Sequence, residues 1–278
     1  AIAQRLDGAD AREAQVEQFL FRGQGIILSG KLHYTCGLLS LSIVIPAFNE
    51  ERRLPQTLAR LLEFVGRGGF SSAEILVVND GSSDGTASVV SAAAKADARI
   101  RLLNNPGNRG KGYAVRHGLQ QARLDWVLMT DADLSAPIEE FDKLWASVQS
   151  ADADGAIGSR AIDRSLIGVR QPAFREFSGK VFNFLMRSVT GLPYKDTQCG
   201  FKLFSRDAAR CVAARQLSDG FGFDVEILYI AKKHGFRIVE TPVRWDNSEG
   251  SKVSLWNGIA AFADPLRVRL NDLRGRYR

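Results

Sequence analysis

From Leu41 onward the chain alternates short apolar runs with segments whose apolar residues recur at helical spacing. LSIVIP (41–46), EILVVND (74–80), IRLLNN (100–105), DWVLMTDAD (125–133) and DGAIGSR (154–160) predict five strands. Leu54, Leu58, Leu61, Leu62 and Val65 predict a first helix, and 86–94, 114–122 and 138–148 predict three more. Strand–helix alternation of this kind predicts an α/β fold with a mostly parallel central sheet and crossover helices on both faces. Apolar runs without polar interruption fit strands covered on both sides. Ligands of such sheets gather beyond the carboxyl ends of the strands, so the residues after each run are the ones to examine.

The flanks are less regular. Residues 1–40 hold no sustained period and are read as an N-terminal extension with one short helix near Arg12 to Phe21. Residues 41–252 form the predicted α/β domain, and 253–278 a basic amphipathic C-terminal segment. A second amphipathic stretch sets Phe174, Phe177, Val181, Phe182, Leu185, Met186 and Val189 against Glu176, Lys180, Asn183 and Arg187. Either stretch is suited to a bilayer surface or to packing on the core. No run of 18 apolar residues occurs, which predicts no transmembrane helix in this chain. The chain begins at Ala1 rather than Met, as a processed form or a fragment would.

Composition narrows the class. With 278 residues, 45% hydrophobic and 24% charged, the chain is neither disordered nor a disulfide-stapled miniprotein, and one core with appendages is expected. The net charge of +6 is concentrated in two places. Arg170, Arg175, Lys180 and Arg187 oppose only Glu176, and five arginines after residue 264 oppose only Asp272. Such local basic patches suit membrane headgroups or phosphate ligands more than nucleic acid. Cys36, Cys199 and Cys211 show no metal spacing and are read as reduced intracellular thiols; the three histidines are far apart, so zinc is set aside.

The strand tips carry the candidate chemistry. Asp131-Ala132-Asp133 ends the fourth run, and alternation along a strand would send both carboxylates to one side, about 6–7 Å apart, to share a divalent cation or to hold a metal and a sugar hydroxyl. Hard oxygen donors favour Mg²⁺ or Mn²⁺. Asp133, followed by Ser135 and Pro137, also reads as the start of the next helix. In NDGSSDGT (79–86), Ser83 or Asp84 can cap the next helix, which explains Asp84 and leaves Asp80 for a base or ribose hydrogen bond, or to join Asp131 and Asp133 around one cation. In Asn108-Arg109-Gly110-Lys111-Gly112 the glycines let the backbone approach an anion that Lys111 reaches. It is no P-loop, because Asn105 and Gly112 stand where Gly and Ser/Thr are needed, and its glycine order fails the dinucleotide fingerprint.

PAFNE, VNDGSSDGT, NRGKGYAVRHG and TDADLS, in this order, resemble family 2 glycosyltransferases of the GT-A nucleotide-diphosphosugar fold. DTQCGFKLF (196–204), FGFDVEIL (221–228) and TPVRW followed by GSKV (241–253) resemble the dolichyl-phosphate β-glucosyltransferase branch. The resemblance implies that Pro46, Ala47, Glu50 and Asp80 hold the uridine of UDP-glucose, and that Asp131 and Asp133 hold the cation and diphosphate. It places Arg160, Arg175, Ser251 and Lys252 at donor or acceptor phosphates, and Asp196, Gln198, Asp224 and Glu226 along the sugar and acceptor side; a polar helix face accounts equally for the last two.

The implied reaction is inverting transfer of glucose to a polyprenyl or dolichyl phosphate at the cytoplasmic face of a membrane. A phosphate monoester, with a second pKa of about 6, is largely anionic at pH 7 and needs no general base; Arg160, Arg170, Arg175 and Lys180 suit such an acceptor. A mannosyl- or other glycosyl-phospholipid synthase is the nearest rival, and a non-catalytic nucleotide-sugar-binding module is the rival from another class. Thr241 stands where processive synthases of the family carry the Gln of QxxRW, which argues against a polymerase. PAFNE is not the Gly/Arg-rich loop that a nucleotidyltransferase needs.

Overall fold

A computed structural model of the chain describes residues 26–28, 31–33, 39–166, 186–246 and 263–278. The expected helix near Arg12 to Phe21, most of the 174–189 stretch, and Arg170, Arg175, Lys180, Ser251 and Lys252 lie outside the described residues. Within the N-terminal extension, Ile26–Leu28 (β1) and Lys31–His33 (β2) pair antiparallel as a small hairpin that the periodicity did not predict.

The core is a seven-stranded sheet. All five predicted strands are present, as β3 (Leu39–Ala47), β4 (Phe70–Asn79), β5 (Ile100–Asn104), β6 (Trp126–Met129) and β7 (Gly155–Ser159). Two more, β8 (Lys202–Ser205) and β9 (Ile238–Pro242), complete the order β5-β4-β3-β6-β8-β7-β9. β8 runs antiparallel to both its neighbours, whereas the other pairings are parallel. The reversal brings the start of β8 to the edge where the others end: Lys202 lies opposite Met129 on one side and Ile157 on the other.

The helices are α1 (Leu54–Gly66), α2 (Thr86–Ala96), α3 (Lys111–Gln121), α4 (Phe141–Ala151), α5 (Arg206–Arg215), α6 (Phe223–Lys233) and α7 (Asp264–Leu273). Strand alternation sorts the core into two layers. Val44, Leu76, Val78, Val127 and Met129 point into the layer shared with α3, α5 and α6, while Ile43, Ile45, Ile75, Val77 and Leu128 point into the layer shared with α1, α2 and α4. Helices therefore cover both faces, as the uninterrupted apolar runs require. Met186, in the stretch read as amphipathic, is fully buried in the first layer, so this residue packs on the core and not on a bilayer.

α3 lies unusually close to the sheet, because a Cβ at Gly118 would sit 2.3 Å from Val44 Cγ1 and 3.1 Å from Val78 Cγ2. Gly118→Ala improves helix propensity by roughly 0.5–1 kcal/mol, yet here overpacking of about 1–3 kcal/mol should dominate. Urea denaturation is expected to show net destabilisation.

Candidate active site

The carboxyl edge of the sheet is laced together before any ligand is considered. Asn49, held in the left-handed region at φ 56°, follows β3. Its amide donates to Ser82 Oγ (2.9 Å) and its Oδ1 accepts from Ser83 N (2.9 Å). Glu50 N donates to Thr86 Oγ1 (2.8 Å), and Gly85 N to Glu51 Oε2 (2.7 Å), so PAFNE and the turn after β4 form one unit. Asp84 accepts from Thr86 N at 3.0 Å, a local turn bond; the N-cap of the following helix is Gly85, which carries no side-chain cap, so Asp84 does not fill the capping position expected of it. Pro46 and Ala47 end β3 within this unit, with Ala47 O accepting from Asp80 N (2.8 Å) and the Glu50 carboxylate pairing with Arg53 (3.0 Å).

Asp80 is buried and its carboxylate is already used. Oδ1 accepts from Asn105 Nδ2 (2.8 Å) and Arg109 N (3.0 Å), and Oδ2 accepts from Gly110 N (2.8 Å). It clamps the 105–110 loop, which crosses so close that a Cβ at Gly81 would lie 2.3 Å from the Gly107 carbonyl carbon. The expectation that Asp80 joins Asp131 and Asp133 around a cation is not met. Among the described residues, no three His, Cys, Asp or Glu side chains gather as a metal site. Backbone donors outcompete that arrangement because a buried carboxylate is stabilised by N–H groups fixed nearby.

The loop that Asp80 holds delivers Lys111 as the first residue of α3, with Gly110 at φ 105°. Gly110 and Gly112 are required by contact: a Cβ at either would lie 2.4 Å from the carbonyl oxygen of Asp219 or Ser218 respectively. Lys111 Nζ pairs with Asp131 Oδ1 at 2.7 Å. Burial opposes its charge, but Asp131, Asp224 and Asp133 outweigh that and raise its pKa.

Asp131 and Asp133 are arranged differently from the extended geometry expected of them. β6 ends at Met129, and the two residues sit in a tight turn closed by Leu134 N donating to Asp131 O (3.1 Å), with Leu134 at φ 47°. The strand-based separation therefore does not apply. Asp133 Oδ1 accepts from Ser135 N (3.0 Å), a local turn bond ahead of the helical turn at Ile138, whose N-cap is Pro137 and has no side-chain cap, and Thr57 Oγ1 donates to Ala132 O (2.6 Å) from α1. Asp131 Oδ2 faces Gly200, where a Cβ would lie only 2.1 Å away. The Asp131 carboxylate thus occupies space that any side chain at 200 would take. Two partly exposed carboxylates with oxygen donors alone fit a hard divalent cation, with Lys111 as the resident counter-charge of Asp131.

Two further ion pairs line the same edge. Arg160, following β7, forms a fork to Asp196, with Nε–Oδ2 at 2.6 Å and Nη2–Oδ1 at 2.9 Å, and lies 5.4 Å from the centroid of the Trp245 ring. Burial works against the Asp196 charge, but Arg160 prevails and holds its pKa below the usual carboxylate value. Gln198 is exposed beside this pair, its backbone N–H donating to Asp196 Oδ1 (3.2 Å). Lys202, which the sequence reading missed, is fully buried at the start of β8 and donates to Asp224 Oδ1 and to Cys199 O (2.6 Å). A lysine inside the otherwise apolar GFKLF was its available signal. Burial raises the pKa of Asp224 despite Lys202 and Lys111, and raises that of the Cys199 thiol to about 11.

Asp131, Asp133, Lys111, Asp196, Arg160 and Asp224 thus share one electrostatic neighbourhood. Glu226 points elsewhere. Its carboxylate accepts from Leu217 N, Ser218 N and Tyr277 Oη at 3.1, 2.7 and 2.6 Å, so it braces the 217–218 loop instead of lining the sugar side.

The description Glycosyl transferase family 2 matches residues 42–213. The dolichyl-phosphate beta-glucosyltransferase ALG5D of Trichomonas vaginalis is 37% identical over 82% of this chain and 72% of its own. The dolichyl-phosphate beta-glucosyltransferases of Drosophila melanogaster and Homo sapiens are 36% and 34% identical, each over 86% of this chain and 77% of theirs. Among solved structures, mannosyl-3-phosphoglycerate synthase from Rubrobacter xylanophilus superposes with a TM-score of 0.64 at 19% identity, covering 85% of this chain and 74% of that one. Glucosyl-3-phosphoglycerate synthase from Mycobacterium tuberculosis, in complex with Mn²⁺, UDP-glucose and phosphoglyceric acid, does so at 0.61 and 18%, covering 83% and 80%. These structural likenesses establish the fold.

Lys202→Met should leave Asp224 buried without its cation and cost about 3–5 kcal/mol in urea denaturation, with Lys202→Met/Asp224→Leu recovering much of the loss. Because folding lowers the Asp196 pKa, its pairing stabilises fully above the unfolded carboxylate value of about 3.9, and that stability is lost as pH falls through the lower folded value. Asp196→Asn should therefore flatten the acid limb of stability against pH; an unchanged limb would contradict the pairing.

Proposed function

The chain belongs to glycosyl transferase family 2 as a dolichyl-phosphate β-glucosyltransferase-like enzyme, and we propose that it transfers glucose from UDP-glucose to a polyprenyl or dolichyl phosphate. The observation that carries this reading is the Lys111–Asp131 contact beneath Gly200, at the sheet edge where PAFNE and the turn after β4 form one platform. Relatives carrying the name of this activity span most of the chain.

Pro46, Ala47 and Glu50 would offer the uridine a surface at the tip of β3. Asp80 would act there through the loop it clamps, keeping the backbone of residues 105–110 in one shape. Asp131 and Asp133 would hold a Mg²⁺ or Mn²⁺, which supplies charge neutralisation to the departing diphosphate when bound. Lys111, poised on Asp131, would turn to the same phosphates. Arg160 spends Nε and Nη2 on Asp196, so Nη1 is the edge it can present to an acceptor phosphate. Arg175, Ser251 and Lys252 would grip donor or acceptor phosphates, and Gln198 would line the sugar and acceptor side. The acceptor phosphate, largely anionic at pH 7 with its second pKa of about 6, attacks without a general base. What the protein must supply is cationic groups that hold two anions side by side. Because the acceptor is lipid-borne, this reading places the enzyme peripherally at the cytoplasmic membrane face.

Offering UDP- and GDP-sugars with a short polyprenyl phosphate and Mg²⁺ or Mn²⁺ should yield an acid-labile glycolipid with UDP-glucose. Preference for a GDP-sugar, or binding without turnover, would replace the reading with one of its rivals. Asp133→Asn should lower kcat at least about 10²-fold while thermal unfolding stays unchanged; unaltered turnover would remove the cation from the mechanism.

A further inference from the structure

The C-terminal helix is built with two sides of opposite character. Its inner side holds Val268, and beyond the helix Tyr277 is wholly buried against α6. Tyr277 Oη donates to Glu226 Oε1 (2.6 Å), and its carbonyl meets His234 Nε2 (2.8 Å). Both acidic residues of the helix are turned toward the protein. Asp272 accepts from Tyr229 Oη (2.6 Å) and pairs with Lys233, and Asp264 packs over Gly222.

The outer side carries Leu266, Leu270 and Leu273, which are 53%, 50% and 76% exposed. Their i, i+4, i+7 spacing puts them in one sector about 60° wide. Arg267 and Arg274, both exposed, flank this stripe on one side; Arg269, on the other, is turned inward, its Nη1 donating to Tyr229 Oη (2.6 Å) and lying 3.5 Å from Asp272 Oδ2. Exposed Arg276 and Arg278 follow. Acidic groups facing inward, leucines outward and arginines along one margin and beyond the helix end suit a helix lying in a bilayer interface, where guanidinium groups reach headgroup phosphates while the leucines enter the acyl boundary.

We propose that the α7 face formed by Leu266, Leu270 and Leu273 with its flanking arginines docks the enzyme on an anionic lipid surface. The occupant follows from charge: exposed Arg267 and Arg274 along one margin of an apolar stripe and Arg276 and Arg278 beyond its end, with both acids of the helix turned inward, match an anionic lipid surface. The proposal deepens the function above, resting on its lipid-borne acceptor for its purpose but not for its geometry. The helix is tied through Tyr277 to Glu226, and through Glu226 to the 217–218 loop against Gly112, so docking would set the orientation of the cleft as well as its distance from the bilayer.

Flotation of the full chain with phosphatidylcholine vesicles, with and without phosphatidylglycerol, tests this. The parent should float with the anionic vesicles at low salt. Leu266→Ser/Leu270→Ser/Leu273→Ser should reduce partitioning at least about tenfold with unchanged thermal unfolding. Arg267→Gln/Arg274→Gln should weaken it about fivefold per arginine and reduce its salt dependence. A parent that does not bind, or a triple variant that floats equally well, overturns the proposal. So does a parental dimer in size-exclusion chromatography that the triple variant abolishes, since a second copy would then be the occupant. Transfer to a short water-soluble polyprenyl phosphate should be the same in parent and triple variant, whereas transfer to acceptor embedded in vesicles should fall in the triple variant. No transfer by a parent that floats would reject the function while leaving the docking surface standing.

Discussion

Negative charge at the carboxyl edge of one sheet has to be tolerated without a ligand, and interleaved cations make that possible. Asp131, Asp133, Asp196 and Asp224 occupy one electrostatic neighbourhood in which Lys111, Arg160 and Lys202 alternate with them. Burying any one of these carboxylates alone would favour its protonation, and removing any one cation would strand its partner. Arg160–Asp196 joins the residue after β7 to the loop before β8, and Lys202–Asp224 joins β8 to α6. The third, Lys111–Asp131, joins two partly exposed side chains at the surface where an anionic donor would arrive. The fully buried Lys202–Asp224 pair acts as frame, and Lys111–Asp131, with both side chains partly exposed, is the pair able to exchange partners.

Asp80 shows how a ligand-like motif can be absorbed into architecture. Its carboxylate fixes three donors of the 105–110 loop, and that loop sets where α3 begins and so where Lys111 points. The other side of the same turn rests on carbonyls of residues 218 and 219, which Glu226 and the buried Tyr277 hold in place. The position of one lysine therefore depends on a strand tip and on the chain's C-terminal turn, more than 150 residues apart in sequence.

α7 stands in contrast to the helices that cover the sheet. Those bury their apolar faces in one of the two core layers, whereas α7 buries Val268 and keeps a leucine stripe outside. The basic amphipathic segment expected over 253–278 falls here; its residues 253–262 lie outside the described residues, and the helix itself starts at Asp264.

Local pattern determined much of this protein. The five apolar runs became β3 to β7, and the predicted helices became α1 to α4, because burial on both sides of a parallel sheet writes itself into consecutive residues. The family and its activity class were legible for a related reason: the motif residues sit at strand ends and helix starts, where order along the chain is itself the signal. β8 and β9 escaped, being short and interrupted by Lys202 in one and by Glu240 and Thr241 in the other. Only the tertiary structure decided strand direction in β8, the pairing of each carboxylate, and the assignment of Asp80 and Glu226 to bracing. Those outcomes depend on which distant donor arrives within hydrogen-bonding reach, and spacing along one segment carries no information about that.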